Sequence, residues 1–482
     1  MNFKIIFKIV GFLLILNGLA MLTALPFSIY YQSNDLFAIL ISGVGTALLG
    51  SLLWFFIKVD SDEDISKRDG YLIVTVGWIA SSLVGTLPYM IHGSIPSFTD
   101  AFFETMSGFT TTGATILKDI EIVPPGLLYW RSMTHWIGGM GIIVLSLAIL
   151  PILGIGGMQL FQAEVAGPSK DKIHPRVTET AKRLWGIYVI LTFAEIILLL
   201  FGDMNLLDAV CHSFGTLATG GFSTKNASIA YYNSSYIEYV IIIFMFISGT
   251  NFTLHYFALK GRVFNYFQDD EFRYYLLFVV VIVSSTALFL ILNNSQSTES
   301  AFRDSAFSII SILSSTGFVT VNYEAWAKFF PEVFLILLLI GACAGSTSGG
   351  VKIIRYEILI KNSLNELKKL IHPNAVIPVR HNDKAVSNEI VSKIAAFVML
   401  YMIIFIFASI ILSIIGMDLS SSMGAVAACL ANIGPGLGVT GPSTNYSSVP
   451  ELGKWVLSIV MLLGRLELFT IIILFSPSFW KK

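Results

Sequence analysis

Charged residues are scarce in this sequence. Asp, Glu, Lys and Arg together make up 13% of the 482 residues, about half the share found in a soluble globular chain. Apolar residues make up 55%, and the mean hydropathy is +0.76. Because so little charge cannot cover the surface of a soluble fold of this size, we interpret the chain as a polytopic membrane protein. The formal net charge of −1 argues against nucleic acid as a partner.

Cysteine and histidine are also rare. The three cysteines, Cys211, Cys343 and Cys429, lie far apart in apolar segments and form neither a disulfide framework nor a metal-binding pattern. The seven histidines lack metal-site spacing, and no soluble segment is long enough for a nucleotide-binding domain. The spans also lack the clustered titratable residues that an enzyme would need. We therefore expect a protein that is not an enzyme and that carries no organic cofactor.

Long apolar runs, in contrast, recur along the whole chain. A helix needs about 20 apolar residues to cross a bilayer, and ten runs meet or approach that length. They lie near residues 5–30, 37–57, 71–92, 127–150, 184–202, 236–259, 274–292, 330–360, 390–416 and 453–475. The first run is too long for the apolar part of a signal peptide, so we expect it to be retained as a helix. An even number of spans puts both termini on one side.

The basic residues predict which side that is. Of the 30 Lys and Arg residues, 23 lie at the termini or in alternate connections, 6 lie in the other connections, and Arg465 lies within a span. Cytoplasmic connections of membrane proteins carry the excess of basic residues. We therefore expect both termini in the cytoplasm of a multi-pass protein of the cytoplasmic (inner) membrane.

Four shorter apolar stretches lie on the opposite side, each between two spans. They cover about residues 99–112, 207–219, 303–316 and 421–433. A helix of 10–12 residues is about 15–18 Å long, which is half of a bilayer. We interpret these stretches as re-entrant half-helices.

Aligning the four stretches reveals an internal repeat. Each starts with Asp or Ser, expected to cap the half-helix, and each reaches a glycine 12 or 13 residues later. The glycines aligned in this way are Gly113, Gly220, Gly317 and Gly434. A period of roughly 100 residues built as span, half-helix, glycine loop and span predicts an all-α fold with four pseudo-repeats around one pore, preceded by two extra helices. The predicted units are residues 1–69, 70–156, 157–265, 266–385 and 386–482.

The glycine loops are the candidate binding site. Irregular backbone at mid-membrane depth is tolerated where it lines a water-filled path, and a ring of backbone carbonyls can replace the hydration shell of a cation. Potassium is the expected cation because it is the least costly of the abundant cations to dehydrate. The predicted filter residues are Thr111, Thr112, Gly113, Thr219, Gly220, Thr316, Gly317, Ile433 and Gly434. A single such loop would be an ordinary extracellular turn, but four aligned copies argue against that.

Two further features lie below these loops. The first is Arg465, which is about 15 Å deep in the last span, where a cation needs water or a partner. Its side chain either faces the pore or forms a structural ion pair. Glu467 is expected to pair with another helix.

The second feature is the run from Gly341 to Gly350, which also contains Gly345 and Gly349, with Ser346 and Thr347 between them. This density favours an unwound loop over simple helix packing. Lys352 and Arg355 follow at the cytoplasmic mouth, where they could meet the loop or a regulatory partner.

Six motifs in these regions resemble those of the Trk/Ktr/HKT superfamily of potassium transporters, and within it the TrkH-type transmembrane subunit. The resemblance covers the whole chain, and the two extra N-terminal spans are similar to the Trk branch. The matching stretches are residues 110–115, 131–143, 220–224, 341–352, 432–438 and 464–470.

The resemblance implies a potassium-conducting subunit with one pore per chain. It further implies a homodimer on a cytosolic, TrkA-type regulatory ring that binds NAD(H) or ATP/ADP, and a gating role for Arg465 and the 341–350 loop. Potassium-selective members of the superfamily carry glycine in all four loops, as this chain does, whereas plant relatives with serine in the first loop admit sodium.

A different class of transporter also has to be considered. A coupled symporter, moving K⁺ with H⁺ or moving Na⁺, could use broken helices around a site at the membrane midplane. Such transporters are usually built from paired repeats, and the four-fold repeat therefore favours the pore.

Overall fold

The computed structural model describes residues 1–59, 66–141 and 177–481. Within these ranges the regular secondary structure is helical apart from one short hairpin and one isolated bridge, so the prediction of an all-α membrane fold is confirmed. Six helices of the described part are long and apolar enough to cross a membrane, and two strongly bent helix pairs bring the number to eight. The other two predicted spans are the 127–150 run, whose end at 142–150 lies outside the described residues, and the broken 330–360 run.

The elements follow the predicted order of one helical pair and four repeats. Those before and within the first two repeats are α1 (Phe3–Leu22), α2 (Leu25–Tyr30), α3 (Leu36–Phe56), α4 (Lys67–Gly85), α5 (Leu87–His92), α6 (Phe98–Phe109), α7 (Pro125–Gly139), α8 (Val177–Phe201), α9 (Leu206–Leu217), α10 (Ser235–Ser248), α11 (Phe252–Leu259) and α12 (Asn265–Gln268). Those that follow are α13 (Asp270–Asn294), α14 (Thr298–Leu313), α15 (Phe330–Leu338), α16 (Ile353–Ile371), β1 (Arg380–His381), β2 (Lys384–Ala385), α17 (Asn388–Ile415), α18 (Leu419–Leu430), α19 (Glu451–Arg465), α20 (Phe469–Ile472) and α21 (Pro477–Trp480).

The two extra N-terminal helices pack closely through small residues. A Cβ atom added at Gly18 would lie 2.6 Å from the backbone nitrogen of Ala47, and one added at Gly50 would lie 2.6 Å from that of Ile15. Small residues are the usual means by which helices approach each other in membranes, where no hydrophobic force draws them together. The amide of Asn17 donates a 2.9 Å hydrogen bond to the hydroxyl of Ser81, which joins α1 to the first repeat.

The half-helices α6, α9 and α18 are 12 residues long, as predicted, whereas α14 has 16 residues and is about one turn longer than predicted. Their capping residues, however, were predicted wrongly. The side chains that accept a hydrogen bond from the first turn are Ser97, Asn205, Ser297 and Asp418. Each precedes its helix in an extended conformation, as an N-cap must, whereas Asp100, Asp208 and Ser421 lie within the first turn and Asp304 lies further along.

The helices that follow the last three half-helices are interrupted, and two of the three interruptions were not predicted. The chain bends by 103° between α10 and α11 and by 110° after α19. The third interruption, between α15 and α16, was predicted and is longer. It is closed at its base by a bridge between Ile340 and Val351, and the intervening residues form a loop in the core of the protein.

The hairpin β1–β2 was also not predicted, and it lies in the connection before the fourth repeat. Its two-residue turn, Asn382 and Asp383, has left-handed backbone angles, the conformation that a tight hairpin turn requires. The boundaries of the predicted units stay predictions, and the one at 156/157, like most of the 157–183 connection, lies outside the described residues.

Candidate functional site

All four half-helices end in the same backbone motif. The second residue after each helix has a left-handed φ between 53° and 61°; these residues are Thr111, Thr219, Ser315 and Asn432. The N–H of the next residue then donates a 2.8 Å hydrogen bond to the carbonyl five residues earlier, in all four copies. This is the Schellman arrangement, which satisfies the last carbonyls of a helix. The chain therefore leaves each half-helix in the same direction.

A left-handed glycine follows each of these ends. The four are Gly113, Gly221, Gly317 and Gly434, with φ values of 78°, 77°, 77° and 95°. The predicted register of the second loop was therefore wrong by one residue, because Gly221 and not Gly220 occupies the equivalent position. With Gly221 aligned, the distance from Asp208 becomes 13 residues, as in the other loops.

The four loops pack against one another in a closed ring. A Cβ atom at Gly113 would collide with the carbonyl oxygen of Gly220, one at Gly221 with that of Thr316, and one at Gly317 with that of Ile433. At Gly434 it would lie 2.7 Å from the carbonyl oxygen of Thr112, which closes the ring. The amide of Asn432 spans the same junction with a 3.0 Å hydrogen bond to the Thr112 hydroxyl. Only glycine leaves room for the carbonyl of the next loop.

The loop between α15 and α16, residues 339–352, lies directly against the ends of two half-helices. The Thr347 hydroxyl donates a 2.9 Å hydrogen bond to the carbonyl of Leu217, the last residue of α9. A Cβ atom at Gly349 would collide with the carbonyl of Ala431, just after α18. On its other side the loop contacts the break between α10 and α11, where the Phe252 N–H donates to the Gly345 carbonyl at 3.0 Å. This loop therefore lies immediately beside the ring.

The Arg465 side chain joins this loop to the first repeat. Its guanidinium donates to the Thr347 carbonyl at 2.9 Å, and to the carbonyls of Gly138 at 2.6 Å and Gly139 at 2.9 Å. Arg465 is the last residue of α19, just before the 110° bend. The charged group therefore connects the first repeat, the loop of the third repeat and the broken helix of the fourth.

The two basic residues after the loop are buried. The Lys352 ammonium donates to the Ser348 carbonyl, and to the Ser348 hydroxyl at 2.9 Å, so it holds the loop to the start of α16. Arg355 forms an ion pair with Glu467, and its guanidinium lies 3.8 Å from the centre of the Phe397 ring. Both side chains are thus part of the packing around the loop and not of an exposed surface. Glu467 pairs across helices, as was expected.

Comparison with known proteins agrees with this architecture. Residues 35–482 match the family model described as TrkH, cation transport protein. The chain belongs to the TrkH family. It is 41% identical to the Trk system potassium uptake protein TrkH of Escherichia coli K12, and 38% identical to the protein of the same name of Halomonas elongata, with 100% of both chains covered each time. The crystal structure of the potassium transporter TrkH from Vibrio parahaemolyticus matches with a TM-score of 0.89 and 39% identity over 100% of both chains.

This TrkH-family chain also contains a buried ion pair that the sequence analysis missed. Arg131 was counted there among the residues of an outer connection, but it lies within α7 and its Nε donates to Glu104 Oε1 at 2.7 Å. Glu104 also accepts the Ile116 N–H at 2.8 Å, and Arg131 donates to the Ser223 carbonyl at 2.8 Å. The pair therefore ties the first glycine loop to the second.

His135, one turn further along α7, completes this connection. Its Nδ1 lies 3.0 Å from the carbonyl of Gly108, and its Nε2 accepts the Phe222 N–H at 3.3 Å. The signal in the sequence was the four-residue spacing of Arg131 and His135 on one helical face. That spacing could not reveal Glu104 as the partner, since it lies 27 residues earlier.

Proposed function

We propose that this protein transports K⁺ across the cytoplasmic membrane through a pore along the axis of the four-loop ring. The proposal is carried by the contacts between the loops, which form a closed ring: the first loop contacts the second, the second the third, the third the fourth, and the fourth the first. The names of the relatives, potassium uptake proteins of the Trk system, support the choice of ion.

The chemistry of the ring suits a weakly hydrated cation. Thr112, Gly220, Thr316 and Ile433 occupy one equivalent position, each between two left-handed residues, so the four carbonyls share one backbone geometry. Such oxygens can replace the hydration shell of K⁺. The C-terminal ends of the half-helices, which point to the same place, add partial negative charge. Thr111, Gly113, Thr219, Gly317 and Gly434 shape the backbone around these carbonyls.

The gate in this proposal is the 339–352 loop, and its glycine-rich part is the 341–350 segment predicted from the sequence. Hydrogen bonds from Thr347 and Lys352 support a closed position, and Arg465 holds the loop while placing positive charge beneath the ring. A cation on that path would meet an unfavourable charge. Opening then requires that the Arg465 contacts and the loop packing are released together.

Control of this gate is assigned to a partner. The proposed assembly is a homodimer in the bilayer, with both termini in the cytoplasm, bound to a cytosolic TrkA-type ring that senses NAD(H) or ATP/ADP. The cytoplasmic excess of basic residues supports the orientation. The relatives' names, which assign them to a Trk system, support the existence of further components.

Selectivity in liposomes tests the proposed function. Purified protein should take up Rb⁺, as a tracer for K⁺, in preference to Na⁺. Gly113→Ser should lower that preference about tenfold, because a Cβ at a left-handed position costs about 1–2 kcal/mol and would displace the Gly220 carbonyl. The control is Gly45→Ser, because a Cβ at Gly45 in α3 has no neighbour within 4 Å. If Gly113→Ser keeps the preference of the unmodified protein, the ring is not the filter.

A further inference from the structure

The β1–β2 hairpin holds the start of α13 with its tip. The Asn382 N–H donates to the Asp270 carboxylate at 2.9 Å, and the Asn382 side-chain oxygen accepts the Asp270 N–H at 2.8 Å. The Asn382 amide also donates to the Asp269 carboxylate at 3.1 Å. Since the first N–H groups of a helix have no partner within the helix, the tip of the hairpin serves as part of the cap of α13.

The hairpin is also bound to α16, through His381. The Nδ1 atom of His381 lies 3.2 Å from both carboxylate oxygens of Glu357, whose side chain is only 1% exposed. The Lys361 ammonium donates to Glu357 at 2.5 Å and to the Arg380 carbonyl at 2.9 Å. The hairpin therefore lies between two helices and is held to both by polar contacts.

Both helices contact the loop between α15 and α16. Glu271, the residue after Asp270, accepts the Ala344 N–H at 2.7 Å and the Ile354 N–H at 3.2 Å. Apolar side chains from the loop, from α16, from α17 and from the segment just before the hairpin also pack together, in a small cluster separate from the main core. Its buried members are Ala344, Ile354, Ile358, Val379, Val391 and Ile394. The hairpin and the loop are thus parts of one packed unit, although they are about 40 residues apart.

The charged groups around His381 come from three elements. They are Glu357 and Lys361 on α16, Asp269, Asp270 and Glu271 at the start of α13, and Arg380, Asp383 and Lys384 in the hairpin itself. The α17 residues that belong to the apolar cluster, Val391 and Ile394, carry no charge, and the charged Glu389 and Lys393 of that helix are exposed and pair with each other. Burial disfavours the charged imidazole, but the hydrogen bond to Glu357 and the nearby carboxylates outweigh burial and raise the pKa of His381 above its usual value.

The sign of the resulting pH effect follows by linkage. A histidine whose pKa is raised when the hairpin is docked stabilises docking fully below the pKa of the free imidazole. That contribution is lost as the pH rises through the higher pKa of the docked state. Docking should therefore be strongest in mildly acidic conditions and weaker in alkaline ones.

We propose that the β1–β2 hairpin is a pH-sensitive latch on the 339–352 loop, in which protonated His381 holds the hairpin on α13 and α16. Alkalinisation of the cytoplasmic side removes the proton, weakens the docking and releases the loop. The link from latch to transport rests on the proposed function of that loop as the gate.

The first test measures Rb⁺ uptake by the full chain in liposomes, with the same pH on both sides between 6.0 and 8.5. Uptake by the unmodified protein should rise with pH by about three- to tenfold. His381→Gln should be as active at pH 6.0 as the unmodified protein is at pH 8.5, and its uptake should change little with pH. The control, His372→Gln, alters an exposed histidine at the end of α16 and should keep the original profile. An unchanged uptake profile in His381→Gln would overturn the link from the latch to transport, and the second measurement then decides whether the latch itself exists.

A second measurement reports on the loop without relying on transport. Cys343 is buried in the loop, so its rate of modification by a neutral maleimide reports opening once Cys211 and Cys429 are replaced by alanine. The ratio of rates between His381→Gln and the parent cancels the pH dependence of thiol chemistry. This ratio should be about three to ten at pH 6.0 and near one at pH 8.5.

The two measurements separate the two proposals. If the labelling ratio behaves as expected while Rb⁺ uptake does not respond, the latch stands and the loop is not the gate. If the labelling ratio is near one at every pH, the latch is wrong, and ion-selective uptake would still support the proposed function.

Discussion

Arg131 and Glu104 pair where almost no water can reach them, since their side chains are 2% and 0% exposed. A buried pair of this kind contributes little to stability compared with apolar residues, but removing one partner leaves an uncompensated charge. The pair also binds both the first and the second glycine loops. Its removal should therefore affect stability and selectivity together.

Arg131→Met should lower the stability of the folded state by about 3–5 kcal/mol, because Glu104 would remain buried without its partner. Thermal unfolding in detergent, followed by size-exclusion chromatography, measures this loss. The double variant Glu104→Gln with Arg131→Met should recover part of the stability, since no charge is left unpaired. If the double variant is as unstable as the two single changes combined, the residues act independently and the ion pair is not the cause.

The sequence alignment of the second loop was wrong because two adjacent residues there are both glycine. Gly220 and Gly221 satisfy the same sequence pattern, and only the backbone shows that Gly221 is left-handed while Gly220 supplies the carbonyl. The constant 13-residue spacing would have favoured Gly221. The capping error had a similar origin: Asp100 and Asp208 are acidic residues at helix starts, but Ser97 and Asn205 lie in the extended conformation that allows a side chain to cap.

At the scale of elements, the breaks in the helices place the 339–352 loop and Arg465 next to the ring. The break before α16 was predictable because glycines and hydroxyl residues are concentrated there. The break after α19 was not, because Leu466 and Leu468 continue the apolar run of this span and Glu467 is a residue type that favours helix. Glu467 and Leu468 nevertheless have left-handed φ values of 53° and 38°, which are uncommon for residues with side chains. Tertiary contacts, including the Arg355–Glu467 ion pair, accompany this costly backbone.

If the 339–352 loop obstructs the pore, deleting residues 344–348 should raise Rb⁺ uptake by the protein without any partner, by about tenfold or more. Arg465→Ala should raise uptake as well, because it removes the hydrogen bond to Thr347 and the positive charge near the path. Because the deletion and Arg465→Ala disrupt the same contact, Rb⁺ uptake by the variant that combines them should be only slightly higher than uptake by the more active single variant. Lys328→Ala, in the connection before α15, is the control for loss of a positive charge.

Fluorescence-detected size-exclusion chromatography establishes whether these variants fold. Thr347→Val is a milder change, because it removes only the hydrogen bonds from the hydroxyl group to the carbonyls of Leu217 and Ser248. Folded variants with uptake equal to that of the unmodified protein would mean that the loop is structural. If the effects of the two changes on Rb⁺ uptake simply add in the combined variant, Arg465 acts through its charge and not through the loop.

At the scale of the whole molecule, the four repeats form one ring from a single chain, and the contacts that close it join residues more than 300 positions apart, as between Thr112 and Asn432. The repeat in the sequence made this ring predictable, because each copy carries the same helix end and glycine. The hairpin was not predictable, since β1 and β2 are two residues each and their position depends on Asp270 and Glu357 in distant parts of the chain.

In the part of the chain that the structure describes, the four loops form one ring and no second, inverted set of repeats is seen, which favours passive flow over coupling. Electrical measurement distinguishes the two. In a bilayer with a tenfold K⁺ gradient, a passive potassium pore reverses at the K⁺ equilibrium potential, about 59 mV, whatever the proton gradient. A symporter that moves one K⁺ with one H⁺ reverses midway between the two ions' potentials, so a one-unit pH gradient would shift its reversal by about 30 mV. We expect no such shift, in the unmodified protein or in Arg465→Ala, whose larger current makes the reversal easier to measure. A reproducible shift of about 30 mV would establish coupling to protons, and the ring would then be one binding site in a transport cycle and not an open path.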